Sequence, residues 1–344
     1  MPRAQSFYLR GCFQLFLGLF LLTSFRAFGW INSNTPAGPS DADLYYRRTH
    51  GGALPPPGVN VSDHSGETTN SIGAPASQVP VAPAPLGLLD NGIDPANLGK
   101  GDWIWQLPNC EASLGLVNGD VQDVINYEKS EGMQWITVKC GDGTNIWTQF
   151  TSDVITRAHT AGMKIFAWAY VYGGSNVPGE INVALNALNL GADGFIIDAE
   201  SEYEAAGQAA NAVTYCQGIL ASYPTRFMAH SPFPVISLHS TFPYVQFGTY
   251  CNAVMPQDYW ADIGGTANYA PTMVTRMNTE WRNWQNSLTG SATNAIKPIA
   301  PIGQGYNSTG INVDGTQIAA FFAALQTNTP MATLSAMRWG VSST

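Results

Sequence analysis

Two carboxylates set two residues apart, Asp198 and Glu200, stand out in a chain that is otherwise poor in charge. They end the run Ala192-Asp193-Gly194-Phe195-Ile196-Ile197-Asp198-Ala199-Glu200, whose middle is apolar and β-branched. In an extended strand, side chains alternate between faces. Ile196, Asp198 and Glu200 therefore share one face, and Phe195, Ile197 and Ala199 share the other. The second face is apolar enough to pack against helices, which turns both acids the opposite way. Carboxylates at i and i+2 lie about 7 Å apart along a strand. They repel, so one tends to hold a proton near neutral pH, as a general acid must. A competing role, acids capping the N-terminus of the next helix, suits Glu202 and Glu204 better.

Such a pair needs a frame that holds it. From Gly99 to Thr344 a short apolar, aromatic or β-branched run, a loop and a helical pattern recur. The spacing predicts strands over Trp103–Leu107, Trp135–Cys140, Ile165–Tyr172, Gly194–Asp198, Arg226–Ser231, Ala253–Tyr259, Pro298–Gly303 and Ser335–Gly340. It predicts helices over Val121–Glu131, Thr151–Ala161, Glu180–Leu190, Ala205–Ser222, Pro271–Ser287 and Thr316–Gln326. Eight strand–helix units in about 250 residues imply an α/β fold, the (β/α)8 TIM barrel. A doubly wound open sheet is the alternative; no Gly-rich phosphate loop follows the first strand to support it. Barrels of this kind carry their active sites at the C-terminal ends of the strands, where Asp198 and Glu200 fall.

The segment Asp193-Gly194-Phe195-Ile196-Ile197-Asp198-Ala199-Glu200 resembles the fourth-strand signature of family 18 glycoside hydrolases, the chitinases and endo-β-N-acetylglucosaminidases. That signature is D-G-x-D-x-D-x-E. Asp193, Gly194, Asp198 and Glu200 match it, and Ile196 replaces the middle Asp. The resemblance implies that Glu200 protonates the glycosidic oxygen. It implies that Asp198 orients the substrate's N-acetyl group, whose carbonyl oxygen attacks the anomeric carbon. On the sixth strand, Gln257 stands where the chitinase pattern M-x-Y-D has Tyr. Gln257-x-Tyr259 is similar to the endo-β-N-acetylglucosaminidase branch, where such residues hold the N-acetyl group, while Asp258 keeps the chitinase pattern. Trp339 resembles the floor under the −1 sugar. Trp105, Trp168, Tyr170 and Tyr172 are further rings at strand ends, with barrel packing as their alternative role. His230 contacts substrate or serves a hydrogen-bonded structural role. Lys139 and Asp142 bind substrate or pair with each other. An Asp-x-Glu on one strand and a terminal Trp also fit family 25 lysozymes.

The first residues look like an export leader. Arg3 and Arg10 precede the apolar run Cys12–Phe25, and Ala27-Phe28-Gly29 is a small-x-small cleavage site. The expected organisation is a signal peptide or signal anchor over 1–29, a linker over 30–98 and the barrel over 99–344. The linker is rich in Pro, Gly, Ser and Asn and includes a glycosylation sequon, Asn60-Val61-Ser62. An exported chain permits disulfides, and a Cys110–Cys140 bridge across neighbouring strand ends is expected, with Cys216 and Cys251 left unpaired. Charged residues are only 11% of the chain and the net charge is −9. An acidic chain is a poor partner for nucleic acid, and membrane contact is expected only through an uncleaved anchor. The five histidines are scattered and no metal motif is visible, so no cofactor is expected. The whole reads as a secreted or envelope-bound monomeric glycosidase acting on an oligo- or polysaccharide, or as an inactive sugar-binding relative of one.

Overall fold

The computed structural model describes residues 89–113, 120–308, 310–328 and 337–339. They belong to the second of two units, Met1–Ser62 and Asp63–Thr344. The apolar leader and nearly all of the Pro-rich segment lie outside the described residues. Among the described residues no helix is long and apolar enough to cross a membrane.

Strands form where the sequence is richest in aromatic and β-branched residues. They are β1 (Gly101–Ile104), β2 (Trp135–Asp142), β3 (Asn145–Ile146), β4 (Lys164–Val171), β5 (Gly194–Ala199) and β6 (Phe227–His230). The series continues with β7 (Ala253–Val254), β8 (Gln257–Asp258), β9 (Ile302–Gly303) and β10 (Met337–Trp339). The sheet runs β7-β6-β5-β4-β2-β1-β10-β9-β8, all parallel, with β3 folded back antiparallel on β2. Its two ends, β7 and β8, are pieces of one strand interrupted at Met255-Pro256. Val254 bridges to Ile299, and Ile302 N–H donates to the Pro256 carbonyl at 2.8 Å. The path therefore closes on itself, and all eight expected strands form a TIM barrel.

The helices follow the strands: α1 (Leu107–Ser113), α2 (Val121–Ser130), α3 (Ser152–Thr160), α4 (Val177–Asn189), α5 (Gln208–Ser222), α6 (Tyr244–Tyr250), α7 (Trp260–Gly264), α8 (Ala270–Ser287) and α9 (Gly315–Thr327). Side-chain caps start three of them. Asp120 accepts from Gln122 N–H, Thr151 from Val154 N–H and Asp314 from Thr316 N–H. Three in succession stop on a left-handed glycine, Gly132, Gly162 and Gly191. Short α6 and α7 had no sequence signal of their own.

Alternation divides the core into two layers. Trp103, Trp135, Phe166, Trp168, Ile196, Phe227, Ala229 and Ile302 fill the barrel. Ile104, Val138, Ile165, Phe195, Ile197 and Met228 pack beneath the helices. Residues before Gly99 also take part. Asp90 N–H donates to the Thr225 carbonyl at 3.1 Å, and Lys164 Nζ donates to the Asn91 carbonyl at 2.8 Å. Asp193 ties the same lower end, accepting from Ile165 N–H at 2.9 Å and facing His159 Nε2 at 2.8 Å.

The expected Cys110–Cys140 bridge is absent. Both side chains are buried thiols. Cys110 does not sit in a loop at a strand end; it rides on α1, so the adjacency of strand ends does not apply to it.

Two buried acids meet between barrel and helices. Asp102 of β1 and Glu128 of α2 are 1% and 2% exposed. Burial, reinforced by Glu128, pushes the Asp102 carboxyl well above the usual range. Burial, then repulsion from Glu131 partly offset by Lys100, lifts Glu128 from 4.5 to about 8. The folded state thus keeps protons that the unfolded chain releases. Stability should be fullest below pH 4.5 as far as this pair is concerned and should fall as pH climbs toward 8. Urea unfolding across that window should show the decline, and Glu128→Gln should remove the share that Glu128 carries while leaving the share of Asp102, which its own burial sustains.

Candidate active site

Parity on each strand brings a set of polar side chains to the top of the barrel. On β5, Ile196 packs inside the barrel, so Asp198, two residues on, points along the same axial face. Glu200 follows where the strand gives way to a short 3-10 turn, Ser201–Glu204. On the sixth strand, Met255 is interior and Gln257 repeats its direction. The Gln257 amide joins the acids. Nε2 donates to Asp198 Oδ1 at 2.7 Å, to Glu200 Oε1 at 3.0 Å and to the Ser231 carbonyl at 3.1 Å. One amide thus fixes two carboxylates from a strand some 60 residues away in sequence. Asp198 is 8% exposed, while Glu200 is half-buried and open to a ligand. Ser231 Oγ is fully buried beside them without a hydrogen-bond partner.

The ring residues divide. Tyr170, half-buried, donates from its hydroxyl to Glu202 Oε2 at 2.7 Å. Burial, the Glu200 charge and the Glu202 hydrogen bond all push its ionisation up, so it stays a neutral donor. Tyr172 is exposed, donates to Asp142 Oδ1 at 2.8 Å and meets the Tyr170 ring edge-on at 5.0 Å. Trp105 is half-buried, and its carbonyl accepts from Gln149 Nε2 at 2.8 Å. Trp168 is buried in the barrel, its Nε1 donating to the Ile104 carbonyl at 3.0 Å. Lys139 pairs with Asp142 at 2.6 Å and lies over the Trp147 and Trp168 rings at 4.5 and 5.0 Å.

Three sequence expectations change with the fold, and a fourth, Trp339, falls where only the backbone is described. His230 does not face the mouth. It follows the outward parity of Met228, is 1% exposed and stacks on Phe247 of α6 at 5.7 Å. Tyr259 is only 2% exposed and meets Tyr306 edge-on at 5.5 Å, so its ring is part of the wall. Trp339 ends β10 in register with Ile104, but its side chain lies outside the described residues. Glu202, expected to cap a helix, instead accepts from the Tyr170 hydroxyl. The strand ends at Ala199, so no alternation carries as far as position 202 to reveal this. Asp258 is fully buried with neither carboxylate oxygen partnered, and burial pushes its pKa well above the usual range. Ile196 fills the barrel beside Trp168, which explains how an apolar residue stands where the family signature has Asp.

No protein-family model matches the chain, and no curated protein sequence matches it. Solved structures do resemble it. A catalytic-site mutant of active domain 2 of a thermostable chitinase from Pyrococcus furiosus, complexed with chito-oligosaccharides, superposes with a TM-score of 0.52 at 10% identity. It covers 71% of this chain and 87% of that one. Another set of catalytic-site mutants of that domain gives 0.50 at 9% identity, over 70% of this chain and 83% of that one. A chitinase from Bacteroides thetaiotaomicron gives 0.47 at 10% identity, over 70% and 88%. At such identities the likeness is one of fold, and the chain shares with the two Pyrococcus furiosus structures the α/β barrel that its own closed ring of strands displays.

Proposed function

We propose that this chain is a glycoside hydrolase that cuts a β-1,4 linkage next to an N-acetylhexosamine, with Glu200 as general acid and Asp198 assisting. The observation that carries the reading is the Gln257 amide bound to both carboxylates at the barrel mouth, at 2.7 and 3.0 Å. It holds Glu200 where a proton can pass to a glycosidic oxygen lying across the strand ends. Asp198, deeper on the same face, is placed to accept the N–H of the sugar's acetamido group. That contact turns the acetamido carbonyl oxygen toward the anomeric carbon. Attack by that oxygen breaks the C–O bond as Glu200 gives up its proton. A water then opens the cyclic intermediate, with Glu200 taking the proton back. No second carboxylate across the ring is needed. Tyr170 and Trp105, both half-buried at strand ends, offer rings on which the sugar's apolar face can stack. The leader-like N-terminus supports action outside the cytoplasm, released or tethered.

Turnover should be measured on chito-oligosaccharides, peptidoglycan and a high-mannose glycopeptide. Chito-oligosaccharides come first because a protein of similar fold is complexed with them. Release of reducing ends from at least one substrate supports the reading. Cleavage of peptidoglycan alone points to a lysozyme-like specificity. Binding without cleavage on every substrate makes the protein a sugar-binding relative, and neither binding nor cleavage overturns the proposal. On an accepted substrate, Gln257→Leu keeps the bulk but removes the bridging amide. Hydrogen bonds to charged groups are worth about 1.5–3 kcal/mol, so the rate should drop about 10- to 100-fold.

A further inference from the structure

One exposed aromatic beside the mouth is held firmly although it fills no core. Tyr172 follows the last residue of β4 and belongs to neither layer of the barrel's packing. It is 39% exposed, the one large aromatic so open among the described residues. A side chain in water ordinarily keeps its rotamer freedom, and fixing it costs entropy. Here each of the residue's three polar atoms is bound. The N–H donates to Glu180 Oε1 at 2.6 Å, the carbonyl accepts from Gln208 Nε2 at 3.2 Å, and the hydroxyl donates to Asp142 Oδ1 at 2.8 Å. The holders are themselves fixed, since Glu180 and Gln208 are buried and Lys139 pairs with Asp142 at 2.6 Å. The ring meets Tyr170 edge-on at 5.0 Å and lies against the turn at Gly143, where a Cβ would come within 3.0–3.1 Å of it. That turn is tied to β4 in its own right, the Gly143 N–H donating to the Tyr170 carbonyl at 2.9 Å.

We propose that the Tyr172 ring is a preformed platform, one ring beyond Tyr170, on which a further N-acetylhexosamine of a β-1,4-linked chain stacks; this rests on the glycosidase reading above. Position supports it. Tyr170 is in register with Asp198 on the neighbouring strand, and its hydroxyl reaches Glu202, two residues past the acid. A chain that lies from Glu200 across Tyr170 arrives next at Tyr172. Chemistry supports it as well. A pyranose presents an apolar face of C–H groups, and an aromatic ring takes that face out of water. Because the protein has already ordered the ring, a ligand gains the contact without the cost of immobilising it. The charges nearby are spent on each other, Lys139 on Asp142 and Asp142 on the Tyr172 hydroxyl, so the platform suits a neutral sugar and not a charged one. The consequence is a preference for length: substrates long enough to reach Tyr172 are bound better than those that end over Tyr170.

The test measures kcat/KM and calorimetric affinity of the full chain for β-1,4-linked N-acetylglucosamine oligomers, from the dimer to the hexamer. In the wild type both should climb with length. Tyr172→Ala should cost the hexamer about 10-fold more than the dimer, the usual worth of an anchoring aromatic, so that the climb flattens. Tyr172→Phe keeps the ring and should keep most of the climb. Tyr172→Leu keeps bulk without a flat face and should lose it, which preserves the comparison if the alanine variant is unstable. A loss equal at every length, or no loss at all, overturns the platform and leaves the proposed reaction standing. A phenylalanine variant as damaged as the alanine one assigns the effect to the hydroxyl and overturns the platform too. A wild-type chain that neither binds nor cuts any of these oligomers overturns the proposal from below, by removing the reading on which it rests.

Discussion

If the proposed reaction is right, Glu200→Gln is expected to lower turnover about 10²–10⁴-fold on an accepted substrate whose leaving group must be protonated, the usual worth of a positioned general acid. The substitution keeps the shape of the side chain and an oxygen for the Gln257 amide, which donates to Glu200 Oε1 at 3.0 Å. Substrate affinity should therefore change little while the chemical step slows. Michaelis–Menten analysis separates the two: a fall in kcat with KM nearly constant is the signature. The loss should also be smaller for a substrate whose leaving group needs no proton, such as a nitrophenyl glycoside. Asp198→Asn should slow the reaction without this dependence on the leaving group, because its place is beside the acetamido group. If Glu200→Gln turns over at the wild-type rate, the proton comes from elsewhere and the assignment fails.

Trp135→Ala is expected to cost about 3–5 kcal/mol of stability, the range for emptying a large aromatic site in a core. For a domain of this size that is a fall of about 10 °C in Tm. Trp135 is 1% exposed and meets Phe166 edge-on at 5.4 Å, and Phe166 meets Phe227 at 5.1 Å. These three rings form the floor of the barrel. They fit because two other strands contribute no side chain at that level. A Cβ on Gly101 would lie 2.1–2.5 Å from the Trp135 ring, and one on Gly194 would lie 2.6 Å from the Phe227 carbonyl oxygen. The floor is well below Asp198, so the variant should keep its activity at temperatures where it stays folded. Thermal unfolding followed by circular dichroism, with an activity assay at low temperature, checks both halves. Gly194→Ala attacks the same layer from the other side; the carbonyl it meets belongs to the backbone and has little room to yield.

The eight strands were legible because each is a short run that only a pleated, buried environment suits, and because turn residues separate the runs so regularly. Asp198 and Glu200 were legible for a local reason, since polarity at alternate positions of an apolar strand shows which way it faces. Where the local pattern is flat, the reading fails. Phe227-Met228-Ala229-His230 is apolar at each of its first three positions, so nothing nearby says that Met228 and His230 face the helices. The cysteines failed for a related reason. That Cys110 rides on a helix depends on where α1 begins, and no short-range pattern records it. Gln257 is intermediate: its strand and parity were readable, but its bond to Glu200 requires the ring of strands to close.

The broken sixth strand gives the barrel an uneven elasticity. The β4–β5 ladder, which carries Asp198, pairs six residues without interruption from Phe166 to Val171. The β8–β9 ladder, which carries Gln257, pairs only two, and Pro256 beside it has no N–H to lend. Amide protons on the first wall are bound to exchange with solvent slowly, and those on the second more readily, through small local openings. Asp198 thus stands on stiff ground, with Glu200 just past the end of the same ladder, while the amide that bridges them stands on ground that gives. A ligand entering from above can displace the amide's side of the mouth and leave the spacing of the carboxylates intact.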